Sequence, residues 1–287
     1  MSFAETVGLG ALAGFTIYFG LPAGRLQLLS SRGRVALAML SVGILAFIFV
    51  DVLSSALTIV HHALDQVKHH DGSVPHLILL VVLLGAGFLA GSSGLAAIER
   101  RIRPVGPRTP PIAGGSSAAA VAVSEADQIA HELDVARRRS LRTGLTIAGA
   151  IGVHNFAEGL AIGVSARAGA ISLATVLIIG FGLHNATEGF GIVGPLGGVK
   201  PSWGWLGLAG LIAGLPTFLG TMVGYAVTSG PLELAFYALA GGAIMYVIGE
   251  IWNGMRRYGY RELGLLMLGA GFMIGVITDL VITYGGG

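Results

Sequence analysis

Apolar residues run through this chain in long blocks instead of alternating or keeping to one face. The blocks fall at about 3–23, 36–60, 76–98, 142–166, 171–194, 204–228, 232–253 and 262–284. Each is long enough to cross roughly 30 Å of hydrocarbon as a helix. The pattern predicts an all-α integral membrane protein of eight transmembrane helices, one domain spanning residues 1–287. Connections are short except for 99–141, after the third helix. That connection begins "ERRIRPVGPRTPPIAGGSS", rich in Pro, Gly and Ser, which predicts a mobile loop. It regains helical character at "SEADQIAHELDVARRRS", leading into the fourth span.

Basic residues then orient the predicted spans. Fifteen of the 17 Lys and Arg residues lie in the connections after spans one, three, five and seven, and only Lys68 and Arg167 lie on the other side. The positive-inside rule makes the arginine-rich side cytoplasmic, so both termini are expected outside and 99–141 inside. The N-terminus has Glu5 where a cleavable signal would carry basic residues, so the first span is expected to be retained.

Composition agrees with this reading. The chain is 54% hydrophobic and 11% charged, where a soluble domain would have about 25% charged residues. Its 47 glycines suit closely packed membrane helices. The absence of cysteine removes disulfides, thiolate metal sites and cysteine nucleophiles together.

Against that background, five carboxylates fall well inside predicted spans: Asp51, Glu158, Glu188, Glu250 and Asp279. Each charge near a helix centre costs about 2.5–3.5 kcal/mol, so the set costs on the order of ten and needs compensation. Two of them belong to a repeated motif, "HNFAEG" at 154–159 and "HNATEG" at 184–189. At 100° per residue, His154, Asn155 and Glu158 share one helix face, and His184, Asn185 and Glu188 repeat it. His154 lies roughly 18 Å along the helix from Arg142 at 1.5 Å per residue. The two antiparallel spans thus carry their motifs near the membrane midplane, which suggests one shared site.

Two imidazoles, two carboxylates and two amide oxygens suit Zn²⁺, Fe²⁺, Mn²⁺ or Co²⁺, and the lack of sulfur argues against Cu⁺. Two ionised Glu and one divalent cation sum to zero charge, easing the burial of both carboxylates. The competing structural reading has each His and Glu simply satisfying its partner within a bundle. Two copies at matched depth favour the metal site.

The repeated HNxxEG on the fourth and fifth of eight spans, together with "AGGAIMYVIGE" on the seventh, resembles the prokaryotic type of the ZIP family of divalent-metal transporters. The resemblance implies a metal site formed by His154, Asn155, Glu158, His184, Asn185 and Glu188. It also implies alternating access between a mobile bundle and a scaffold, frequently as a homodimer, in the cytoplasmic (inner) membrane of a prokaryote. Zn²⁺ is the expected cargo, with Fe²⁺, Mn²⁺, Co²⁺ or Cd²⁺ as other candidates; no resident cofactor and no nucleic-acid partner are expected. This chain has Ala157 and Thr187 where many relatives carry proline, and Thr217 near the position of a sixth-span glutamate. One metal per site is therefore expected.

Secondary candidates follow. Asp51 opens a polar stripe with Ser54, Ser55 and Thr58; Glu250 matches a family acidic position near the cytoplasmic exit; Asp279 stands alone. These three are candidates for a secondary metal or the route. An external connection, "HHALDQVKHHDGSVPH" (61–76), could gather metal at the mouth or could simply be solvated. An intramembrane metalloprotease of the HExxH kind needs Glu directly after the first His, where this chain has Asn155, so an enzyme is not expected. A gated metal channel would suit the same midplane site and stays open as an alternative.

Overall fold

A computed structural model describes residues 1–26, 30–102, 118–167, 169, 171–226, 229–256 and 258–284. Among these the chain is helical throughout, without a strand. The helices are α1 (Phe3–Phe15), α2 (Ala23–Leu26), α3 (Ser31–Lys68), α4 (Val74–Leu89), α5 (Leu95–Ile102), α6 (Ala118–Arg167), α7 (Ile171–Val193), α8 (Trp203–Ala226), α9 (Gly230–Arg256) and α10 (Arg261–Tyr284). Seven segments among the described residues are long and apolar enough to cross a membrane: Phe3–Arg25, Ser31–Lys68, Val74–Ile98, Asp127–Arg167, Trp203–Ala226, Gly230–Arg256 and Arg261–Val281. The predicted fifth span coincides with α7, of 23 residues.

Three local departures from plain spans have identifiable causes. The first span is broken: α1 passes into a 3-10 turn, Thr16–Phe19. There the Thr16 hydroxyl donates to the Ala13 carbonyl at 2.7 Å, and Pro22, which lacks an N–H, follows. The third span carries a π-helical turn at Ala90–Gly94, where Ser92 Oγ donates back to the Phe88 carbonyl at 2.9 Å. The fourth span is the end of α6, a 50-residue helix, about 75 Å long at 1.5 Å per residue. The helical recovery expected at 124–140 thus continues without a break into the membrane segment. Much of 99–141 is helical, and the Pro/Gly-rich stretch expected to be mobile lies outside the described residues at 103–117.

Two bundles form. In one, α1, α6, α7 and α8 pack together, most extensively α6 on α8; in the other, α3, α4, α9 and α10 do so; α6–α9 and α3–α7 contacts join them. Interior Ile147, Ile151, Ile192, Ile244, Ile251, Val42 and Leu45 fill the shared core.

The close contacts expose an internal repeat. Gly14 of α1 and Gly214 of α8 meet so closely that a Cβ on either would collide with the other's carbonyl oxygen. Around them, "GALAGFTIYFG" (10–20) matches "GLIAGLPTFLG" (210–220) as G-x-x-A-G-x5-G. In the second bundle Gly43 of α3 sits on the Leu268 backbone of α10 and Gly271 sits on that of Leu40. Their counterparts are Gly242 of α9 on Phe88 of α4, and Gly91 on Leu239. Thus α1, α3 and α4 correspond to α8, α9 and α10, and α6 corresponds to α7. Since α6 and α7 meet in a tight turn at Gly169 (φ 80°) and run opposite ways, the operation that exchanges the halves inverts the bundle.

Candidate metal centre

The two HNxxEG motifs dock on the two halves of this repeat in the same register. On α6, the Asn155 amide donates through Nδ2 to the Ala213 carbonyl of α8 at 3.0 Å. On α7, Asn185 donates through Nδ2 to the Ala13 carbonyl of α1 at 3.1 Å. One turn on, the motif's glycine takes the next contact: a Cβ at Gly159 would overlap the Thr217 carbonyl, and a Cβ at Gly189 would crowd the Ile17 carbonyl. Asn and Gly at i and i+4 therefore read partner carbonyls at j and j+4 in both halves. The third motif position repeats the match, because Gly220 lies against the Phe156 carbonyl and Gly20 against that of Ala186. Ala13 and Ala213 each adjoin the Gly14–Gly214 contact, so both amide anchors sit beside the axis that relates the halves.

That docking orients the remaining polar atoms. Asn155 Oδ1 and Asn185 Oδ1 are buried and have no hydrogen-bond partner among the described residues; Thr217 Oγ1 on α8 is in the same condition. His154 Nε2 and Glu158 Oε1 are 2.7 Å apart, one turn apart on α6, in a fully buried pair. Glu188 is equally buried, at 1% exposure. The side chain of His184 lies outside the described residues. Among the described residues, no three His, Asp or Glu side chains gather closely enough to hold one ion.

Magnitudes decide what the asparagines are for. An interhelical side-chain hydrogen bond inside a membrane averages about 0.6 kcal/mol and reaches about 1.7. That is small beside the 1–3 kcal/mol cost of leaving a buried polar atom unmatched. Two amides whose N–H ends are fixed and whose oxygens are left bare are thus poor structural glue and good oxygen donors. Asn155→Ala and Asn185→Ala should each change thermal stability little, by no more than about 1–2 kcal/mol, which a melting curve would check.

The other candidates are dispersed. Asp51 lies on an exposed face of α3, and Thr58 on the same stripe donates its hydroxyl to the Ser54 carbonyl at 3.0 Å. Glu250, on α9, lines a cavity of about 660 Å³ between α6 and α9 together with Glu132, Arg139, Thr143 and Asn253. Asp279 is half-buried on α10. The histidine-rich stretch at 61–76 is mostly helix: His61 and His62 lie in the last two turns of α3, His76 lies in the first turn of α4, and the turn between them places His70 at φ 64°.

What the sequence reading missed are the acceptors, the Ala13 and Ala213 carbonyls. Backbone carbonyls leave no residue signature, yet the G-x-x-A-G-x5-G repeat around them is present in the sequence.

A multi-pass helical membrane protein of inverted-repeat design, with its two buried asparagine anchors beside the contact between the halves, is the class that these features define. No family model matches the chain. Over 157 residues it is 31% identical to the zinc transporter ZupT of Clostridium perfringens (strain 13 / Type A), a match covering 52% of this chain and 53% of that protein. The chain therefore spans about half the length of the curated relative it matches.

Proposed function

We propose that this protein is a ZIP-type secondary transporter that moves divalent transition-metal cations, Zn²⁺ foremost, into the cytoplasm by alternating access. It acts without ATP and without resident cofactor, and is not an enzyme. The observation that carries the proposal is the pair of docked motifs, which leaves two buried amide oxygens without a hydrogen-bond partner among the described residues, on the same two helices that carry the buried His154, Glu158 and Glu188. The likeness to a zinc transporter supports it. His154, Asn155, Glu158, His184, Asn185 and Glu188 form the site and hold one ion, the two glutamates neutralising its charge as it leaves water. Ions and substrates of inverted-repeat transporters bind near the midplane between the repeats, and rocking of one bundle against the other exposes the site to each side in turn. Here α1, α6, α7 and α8 carry the ion, and α3, α4, α9 and α10 form the scaffold. Eight spans, both termini outside, a location in a prokaryotic inner membrane and assembly as a homodimer complete the reading.

Purified protein in vesicles loaded with a zinc-sensitive dye tests this. The parent should show saturable zinc entry, and His154→Ala should abolish it; Fe²⁺, Mn²⁺, Co²⁺ and Cd²⁺ in the same assay rank selectivity. Entry that never saturates would assign the site to a channel, and zinc entry indifferent to His154→Ala would remove the site assignment.

A further inference from the structure

A second built feature lies away from the metal centre, at the arginine-rich end of the scaffold bundle. There α3, α9 and the start of α10 line a half-open cavity of about 400 Å³, within the ~300–1,000 Å³ range of small-molecule sites. Val35, Met39 and Met255 line it from the buried side and Leu265 from the exposed side, with Trp252 in the wall. Its rim carries Arg256, Tyr260 and Arg261, and the Arg32 guanidinium stacks over the Tyr260 ring at 5.7 Å.

The arginines at this end differ in what they touch. Arg25 donates to the Pro201 carbonyl at 2.7 Å, and Arg34 donates to that of Gly197; both pin the fold. Arg256 and Arg261 have neither a hydrogen bond nor an ion pair among the described residues, and neighbouring Glu262 forms no pair with Arg261. Two exposed guanidiniums without a partner among the described residues, lining the same cavity as buried Val35, Met39 and Met255, present charge for an anion with a hydrocarbon part.

We propose that this cavity binds one anionic phospholipid, its phosphate between Arg256 and Arg261 and an acyl chain running over Met39 and Leu265. Guanidinium forks match phosphate oxygens in two-point contacts. Trp252 and Tyr260 are the residue types that settle at headgroup level. A free phosphate would leave the Val35–Met39–Leu265 surface without use, and Leu265 and Leu266 continue it outward, 48% and 69% exposed. The position couples the lipid to the α3–α10 and α9 contacts of the scaffold bundle. The proposal rests on the membrane-spanning reading and is independent of the metal assignment.

The test is thermal unfolding and native mass spectrometry of the full chain in detergent, titrated with phosphatidylglycerol, phosphatidylcholine or inorganic phosphate. Phosphatidylglycerol should raise the unfolding temperature and remain bound, while the other two do neither. At about 1 kcal/mol for each basic residue at an anionic surface, Arg256→Gln with Arg261→Gln should weaken its binding roughly thirtyfold. Lys200→Gln, a basic residue elsewhere at that end, should leave it unchanged. Equal stabilisation by phosphatidylcholine, reproduction of the effect by phosphate alone, or undiminished phosphatidylglycerol binding by the double variant would each overturn the proposal. If the double variant fails to fold, the lipid comparison on the parent and on Lys200→Gln still decides.

Discussion

Replacing Glu158 or Glu188 with Gln is expected to cut zinc flux by roughly thirtyfold or more while the protein folds as well as the parent or better. The two effects have opposite signs for one reason. A buried carboxylate inside a bundle is costly, about 2.5–3.5 kcal/mol at a helix centre, and the amide relieves that cost. A divalent cation entering the same place needs the charge. In binding, truncating one partner of a buried charge pair costs about 2–5 kcal/mol, which at 1.4 kcal/mol per factor of ten is roughly thirtyfold or more. Glu158 is 4% exposed and Glu188 1%, so water cannot screen the loss. Melting temperature and vesicle uptake measured on the same preparations separate the two signs. A variant that loses stability and keeps flux would make the glutamates structural.

The second large effect concerns the helix contact on which the site is built. Gly159→Val should destabilise the protein by about 3 kcal/mol or more, beyond the usual range of overpacking, because the obstacle is backbone. A side chain at Gly159 meets the Thr217 carbonyl and the Thr221 amide nitrogen, neither of which can rotate away. Parting α6 from α8 would also break the Asn155–Ala213 hydrogen bond and turn the Asn155 oxygen from its place. Gly189→Val should act alike through Ile17, Gly20 and Leu21 of the first span. Gly149→Ala is the control: it lies on the same helix with nothing within 4 Å of the added atom, and should be neutral or mildly stabilising. Unfolding in a graded detergent series compares all three. Equal stability of Gly159→Val and Gly149→Ala would mean that the helices are not held this closely.

Much of the fold was legible as run length. An apolar block of about 20 residues can do little but span, so the predicted blocks match helices such as α8 and α10 to within two residues at either end. The misses came where backbone geometry, not composition, decides. Thr16 and Pro22 break the first span into a 3-10 turn, yet the residues there are as apolar as their neighbours. The 50-residue length of α6 was hidden because a polar helix outside the membrane and an apolar one inside it read as separate elements.

The site was legible as chemistry and only half legible as structure. His, Asn and Glu in a greasy helix pointed to buried donors, and Asn155, Glu158, Asn185 and Glu188 are buried. The glycine closing each motif read as a mere suffix, whereas Gly159 and Gly189 are where the partner helix touches. The matching small-residue pattern at 10–20 and 210–220 could have revealed the repeat, but only to a reader comparing glycine spacing instead of hydrophobicity. No donor motif predicts that Ala13 and Ala213 would offer their carbonyls.

The central claim is that the two motifs share one ion, and X-ray absorption of the zinc-loaded protein, with its metal content measured in parallel, tests it most directly. The account predicts one zinc per chain in a shell of nitrogen and oxygen at about 2.0–2.2 Å without sulfur. The imidazole contribution should fall by half in either His154→Ala or His184→Ala. Zinc that keeps full occupancy and an unchanged imidazole signal in the double variant would place the ion elsewhere and contradict the account.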